Sequence, residues 1–519
     1  MRFPRSSGVL LHPTALPGPW GIGDLGASAY RFVDFLAAAG QRLWQILPLG
    51  PTSFGDSPYQ CFSAFAGNPL LISFDLLVAD GLLDQAELAR AVQAQGHTLH
   101  HDYVDYGPVI EFKLPLLRSS YQRLMAGVNP NYSLSFMAFC ATQARWLDDY
   151  ALFIALKDAH GGASWDTWEP AIAAREPTAL AEWSNRLAEQ VQVQKYLQYL
   201  FFHQWSSLKN YANARDIAII GDAPIFVAYD SADVWANRGL FYLTEQGTPT
   251  VIAGVPPDYF SATGQRWGNP LYRWQPMAET GYAWWIERLR QTLSQVDILR
   301  LDHFRGFAAY WEIPASEATA INGRWVRAPG RELFSALEQA LGDLPIIAED
   351  LGVITPDVEA LRQQFRLPGM KVLQFAFDGD PRNNYLPHNY EPNYVVYTGT
   401  HDNDTTVGWF WALSESQREI IRSYLGSDAH DIAWDMLRLA LMSVADMAVA
   451  PLQDILRLGS EARTNVPGKA GGNWAWRFHD HQLNEGLAHG LRFLTTLYGR
   501  AAPAPKEEGG GNGYDPADV

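Results

Sequence analysis

Eight short apolar runs, six of them closing on a polar or charged residue and two on proline, constrain the fold more than anything else in the chain. They are GVLLH at 8–12, LWQILP at 43–48, IAIIGD at 217–222, ILRLD at 298–302, PIIAE at 345–349, VLQFAFD at 372–378, YVVYT at 394–398 and MAVAP at 447–451. The apolarity is mostly continuous rather than alternating, which suits strands buried on both faces, as in a parallel sheet. Helical spacing fills the gaps. Tyr30, Val33, Leu36 and Ala37 form one face ahead of Gly40, which reads as a C-cap. Trp285, Leu289, Leu293 and Val296 do so before the fourth strand, and Leu333, Phe334, Leu337 and Leu341 before the fifth. Thr355-Pro356 reads as an N-cap with proline at the first helical position. Strand and helix alternating in this way predict an α/β fold, a (β/α)8 TIM barrel.

Two connections are too long for a plain barrel. Residues 52–215, between the second and third strands, contain a strong amphipathic helix over 192–215, and residues 229–279, between the third and fourth, are aromatic and loop-like. Long insertions in a compact domain usually form lids or binding loops. We therefore expect one catalytic barrel over 1–500, with both insertions forming subdomains around its mouth and no separate C-terminal β-domain. Residues 501–519, rich in Gly, Pro and charge, read as a disordered tail.

Composition narrows the partners. A formal charge of −17 argues against nucleic acid or an anionic membrane, since both would repel the chain. There is no run of about 18 apolar residues and no signal-peptide core, so a cytoplasmic protein is expected. Cys61 and Cys140 offer neither a disulfide framework nor metal-ligand spacing. The aromatic content is 13%, which fits a well-filled core and equally a groove whose ring faces stack on sugars.

In a barrel of this kind the chemistry sits at the C-terminal strand ends. Asp222, Arg300, Asp302, Glu349, His401 and Asp402 all fall there. Arg300 and Asp302 are two apart on one strand, so they share a face, and the guanidinium favours an ionised Asp302. Glu349 has apolar residues before it and Asp350 after it. Desolvation and neighbouring carboxylates keep such a group protonated, ready to act as a general acid. An ionised Asp and a protonated Glu on adjacent strands is the pattern of retaining glycosyl chemistry. Any one of these positions alone reads as a structural ion pair or a rim residue. A ring of charge at successive strand ends has no packing purpose. Metal catalysis is the chemical rival, with Asp222, Asp302, His303, Glu349, His401 and Asp402 as conceivable ligands. It is disfavoured because no His-Glu-x-x-His helix is present and Arg300 would repel a cation.

The chain resembles the 4-α-glucanotransferases known as amylomaltases or disproportionating enzymes, in the wider α-amylase-like clan. The resemblance rests on SGVLLHPT at 7–14, WGIGDLG at 20–26, WQILPLGPT at 44–52, GDSPYQ at 55–60, GVPPDYF at 254–260 and GQRWGNP at 264–270. It continues through RLDHFRG at 300–306, AEDLG at 348–352, GTHDNDT at 399–405 and NVPG at 465–468. It implies Asp302 as nucleophile, Glu349 as general acid/base and Asp402 as transition-state stabiliser. It also implies that Arg300, His401, Asp222 and Tyr59 surround the reacting sugar, and that Ser57, Gln265 and Trp267 lie around the acceptor. Tyr259 and Phe260 would tip a loop arching over the site, with Asn473 facing it. No cofactor and no metal are implied. The partners would be α-1,4-glucans and malto-oligosaccharides, with glucose as an acceptor. The alternatives are a hydrolase of the same clan and a non-catalytic glucan-binding protein.

Overall fold

The computed structural model describes residues 3–257, 261–352, 354–469 and 471–502. Among the described residues twelve strands run in chain order: β1 (Ser6–Leu10), β2 (Leu43–Gln45), β3 (Ala218–Pro224), β4 (Val251–Val255), β5 (Gln265–Pro270), β6 (Ile298–Asp302), β7 (Ala309–Pro314), β8 (Arg324–Arg327), β9 (Ile346–Ala348), β10 (Gly369–Val372), β11 (Tyr394–Tyr397) and β12 (Met447–Pro451). Eight of them form one parallel sheet in the order β10-β11-β12-β1-β2-β3-β6-β9. The two end strands meet where the Ala348 amide donates to the Pro368 carbonyl at 2.9 Å. The sheet is thus a nearly closed barrel, the α/β barrel expected.

Period-two alternation sorts the side chains. Leu10, Leu43, Ile220, Ile298, Ile347, Met370, Val395, Tyr397 and Val449 belong to one buried cluster inside the barrel. Their neighbours Val9, Trp44, Ile219, Leu299, Ile346 and Val396 belong to the larger cluster that includes the surrounding helices. Higher along the strands the interior turns polar. Tyr397 donates to Gln45 Oε1 at 2.8 Å, and the pairing of β3 with β6 sets Asp222 opposite Arg300.

The expected helices are present as Ala27–Ala38, Ala283–Gln295, Gly330–Leu341 and Pro356–Gln364, and the amphipathic insertion helix runs Ala188–Asn213. That last helix packs beside Pro130–Ala159 and holds the chain leaving β2. The buried Gln198 amide bonds both the N–H and the carbonyl of Gly67, and Gln204 does the same for Ser73.

Two features differ from the expectation. The sixth barrel strand was expected within 372–378, but it runs Gly369–Val372 and Leu373–Phe375 form a 3-10 turn. The true strand hides its pattern behind Gly369 and Lys371, whose ammonium lies 4.4 Å over the Tyr394 ring. The apolar stretch after it is buried as a turn instead, with Leu373 and Ala376 in the core. A second, antiparallel sheet, β5-β4-β7-β8, places β4 and β5 inside residues 229–279, read from the sequence as loop-like, and draws β7 and β8 from the chain between β6 and β9, where the sequence pattern shows no strand.

Below the barrel, the buried Arg500 guanidinium donates to the carbonyls of Ser6, Leu441, Ser443, Ala445 and Asp446, tying the segment after the helix Glu485–Leu497 to the entrances of β1 and β12. No helix among the described residues is long and apolar enough to cross a membrane.

Candidate active site

The site is built on the C-terminal ends of β3, β6, β9 and β11. Arg300 and Asp302 point the same way from β6, and Asp222 faces them from β3. Arg300 Nη1 lies 2.6 Å from Asp222 Oδ2 and 3.0 Å from Asp302 Oδ1. Tyr59 OH donates to the same Asp222 oxygen at 2.8 Å. Arg300 and Asp222 are buried, whereas Asp302 is only half-buried and opens to the groove. Burial against the pull of Arg300 pushes the Asp222 carboxyl up to about 7.

Glu349 follows β9. Its Oε2 accepts from the His303 amide at 2.6 Å and its Oε1 from the Leu351 amide at 2.9 Å. His303 can aim its N–H this way because it adopts a left-handed conformation, φ 53°, immediately after Asp302. Burial first, and then the charge of Asp302, raise the Glu349 carboxyl above the ordinary range, with Arg300 and the two amides opposing. One guanidinium thus pairs with two acids directly, while the third is held by backbone amides and shifted toward its protonated form.

His401 and Asp402 follow β11. His401 is buried, and its ring stacks on Tyr59 at 5.1 Å between centroids. Burial lowers its pKa, which favours the neutral imidazole. Asp402 is the more exposed of the two. Its Oδ1 accepts from Asn465 Nδ2 at 2.6 Å, and its Oδ2 lies 3.4 Å from His401 Nε2. The Asp402 carbonyl accepts from Arg463 Nη2 at 2.7 Å.

The insertions add the remaining positions. Ser57 Oγ accepts from the Tyr59 amide at 3.2 Å, shaping the loop that delivers the phenol. Gln265 and Trp267 lie on β5, with the indole N–H donating to Gln265 Oε1 at 3.1 Å. The Trp267 ring meets His303 edge-on, 4.8 Å between centroids, so β5 reaches the turn between Asp302 and Glu349. The Asn473 amide is engaged within its own loop, accepting from the Val466 N–H and donating to the Lys469 carbonyl. Tyr259 and Phe260 lie outside the described residues.

The sequence pattern gives no role to Asn465, Arg463 or the His303 and Leu351 amides, although Asn465 lies in the NVPG stretch. Nothing in a linear pattern marks a backbone donor, and only a polar residue in an otherwise unexplained loop could have flagged Asn465. Among the described residues no three His, Cys, Asp or Glu converge as a metal site.

Residues 11–484 match the 4-alpha-glucanotransferase family. The chain is 55% identical over 500 residues to a 4-alpha-glucanotransferase of Synechocystis, covering 96% of this chain and 98% of that one. It is 51% identical over 500 residues to a 4-alpha-glucanotransferase of Thermus thermophilus, covering 95% and 98%. In structure it is similar to an amylomaltase from Streptococcus agalactiae in complex with acarbose, with a TM-score of 0.92, 41% identity, and coverage of 96% and 100%.

Proposed function

The chain belongs to the 4-alpha-glucanotransferase family and has that family's enzymatic activity on α-glucans; from this premise we propose that it works by double displacement through Asp302. Asp302 attacks the anomeric carbon of an α-1,4-glucan while Glu349 protonates the departing 4-hydroxyl. Glu349, now ionised, then takes the proton from an acceptor 4-hydroxyl, which displaces Asp302 and restores the α-linkage. Asp402 and the neutral His401 hold hydroxyls of the reacting sugar as its ring flattens, and Tyr59 supports that ring from the side of Asp222. Ser57, Gln265 and Trp267 border the acceptor, for which glucose and malto-oligosaccharides have the required hydroxyl. Asn473, Tyr259 and Phe260 belong to loops at the rim. The insertions 52–215 and 229–279 are thus subdomains around the mouth of a catalytic barrel.

The observation that carries this reading is the bond from the His303 amide to Glu349 Oε2. It fixes the acid beside the residue that follows the nucleophile, while the shared guanidinium goes to Asp302 and Asp222. Incubation with maltotriose tests it. Transfer yields glucose and a ladder of longer oligomers. Shortened products alone would indicate the hydrolase, and tight glucan binding without turnover the binding protein.

A further inference from the structure

Asp454 is buried, 1% exposed, in the short helix Leu452–Ile455 that follows β12. Its carboxylate meets three donors: Thr398 Oγ1 at 2.5 Å, the Thr406 amide at 2.7 Å and Thr406 Oγ1 at 2.7 Å. Those two threonines bracket the loop that contains His401 and Asp402, so one side chain holds both of its ends. The neighbouring Gln453 reaches the facing segment, its Nε2 donating to the Ala462 carbonyl at 3.1 Å and to Thr464 Oγ1 at 2.8 Å. From that segment Arg463 and Asn465 grip Asp402. A further bond, Ser460 Oγ to Asp404 Oδ2 at 2.7 Å, joins the two segments directly.

We propose that Asp454 is a positioning residue for the reaction: by clamping Thr398 and Thr406 it fixes Asp402 against a segment that the adjacent Gln453 holds from the other side. Asp402 is half-exposed and stands on a loop, so its aim depends on what anchors that loop. A misplacement of about 1 Å at such a group costs on the order of 10²-fold in rate. Substrate affinity depends on many other contacts along the groove and is not expected to follow.

The inference rests on the assignment of Asp402 made above, and the test separates the two. For Asp454→Ala, kcat on maltotriose should fall about 10²-fold with KM within about twofold of the parent. Asp454→Asn should recover most of the rate, because its carbonyl still accepts from the Thr406 amide while both hydroxyls turn to accept from its NH2. Residual activity is then followed with an α-maltosyl fluoride donor in an Asp402→Asn background. There Asp454→Ala should cost little more, since the two residues act as one unit. An equal loss in both backgrounds, a rise in KM alone, or an unchanged kcat would overturn the inference and leave Asp402 its role. A fully active Asp402→Asn enzyme would overturn both. Should Asp454→Ala fail to fold, Thr398→Val and Thr406→Val remove the hydroxyl partners singly, and the same kcat-specific loss is expected.

Discussion

One guanidinium, on Arg300, lies within 3.0 Å of both Asp222 and Asp302, while Glu349 is anchored by backbone amides. This difference supports the proposed roles of Asp302 as nucleophile and Glu349 as acid, and Glu349→Gln tests them. A fluoride leaving group needs no protonation, so an α-maltotriosyl fluoride donor should still glycosylate Asp302. Without a base to activate the acceptor, the covalent intermediate should accumulate and appear in peptide mass spectra on the segment containing Asp302. Activity on maltotriose should drop roughly 10³-fold. Mass added to any other peptide would contradict the assignment. Asp222 makes a pH prediction. Its carboxyl is raised to about 7 in the fold and titrates near 3.9 when unfolded. Between these values the native state holds a proton that the unfolded chain has released, so stability is full below about pH 4 and is lost as pH rises through about 7. Asp222→Asn removes this titration, so its Tm relative to the parent should climb from pH 5 to pH 8. A constant difference would place the titration elsewhere. At this scale the acids and the Arg-x-Asp pair were legible because charged types at strand ends have no packing purpose. The amide donors that hold Glu349 were not, because every residue carries one.

The barrel closes at the seam between β9 and β10, and there side chains replace much of the ladder. Asp350 Oδ1 accepts from the Met370 amide at 2.7 Å, and its Oδ2 lies 3.2 Å from Arg362 Nε, both side chains being nearly buried. Arg362 continues to the Leu367 carbonyl and the Tyr394 hydroxyl. Asp350→Ala would strand a buried guanidinium and orphan an amide, at a cost of about 3 kcal/mol. The expected outcome is a Tm several degrees lower, with Asp350→Asn milder because its carbonyl still accepts from Met370. Because Asp350 adjoins Glu349, kcat should fall in parallel; unchanged Tm and kcat would show that the seam is held by other means. This seam is also where the sequence misled. Seven of the eight barrel strands coincide with apolar runs because their residues face core on both sides. β10 contains Gly369, where a Cβ would collide with the Asp350 carboxylate, and Lys371, which stacks on Tyr394. Its signature is therefore tertiary, and the apolar turn after it took its place in the pattern. The strands β7 and β8 escaped for a related reason: as ribbon outside the barrel they carry Glu312, Arg324 and Arg327 among their aromatics and form no continuous apolar run.

In the proposed double displacement, whether a glucan or water completes the reaction is decided by the molecule as a whole, since the groups that would surround the intermediate come from distant parts of the chain. Tyr59 arrives from the insertion after β2, Trp267 from the small sheet, and Asn465 and Trp474, whose ring lies 5.9 Å from that of Tyr59, from the loops after β12. Water is present at tens of molar, so transfer wins only where water is excluded and an acceptor is held in line. Trp267 is suited to both tasks. Its half-buried ring stands edge-on to His303, whose amide holds Glu349, so the indole borders the turn that anchors the base. Trp267→Ala opens this side of the groove without touching Asp302 or the bonds that anchor Glu349. The covalent step should therefore survive, while the share of intermediate captured by water rises several-fold. Glucose and maltose released from maltotriose would increase at the expense of the longer oligomers, and a higher acceptor concentration would only partly restore transfer. An unchanged ratio of oligomers to hydrolysis products would mean that water is kept out by other parts of the rim and that the indole serves packing alone.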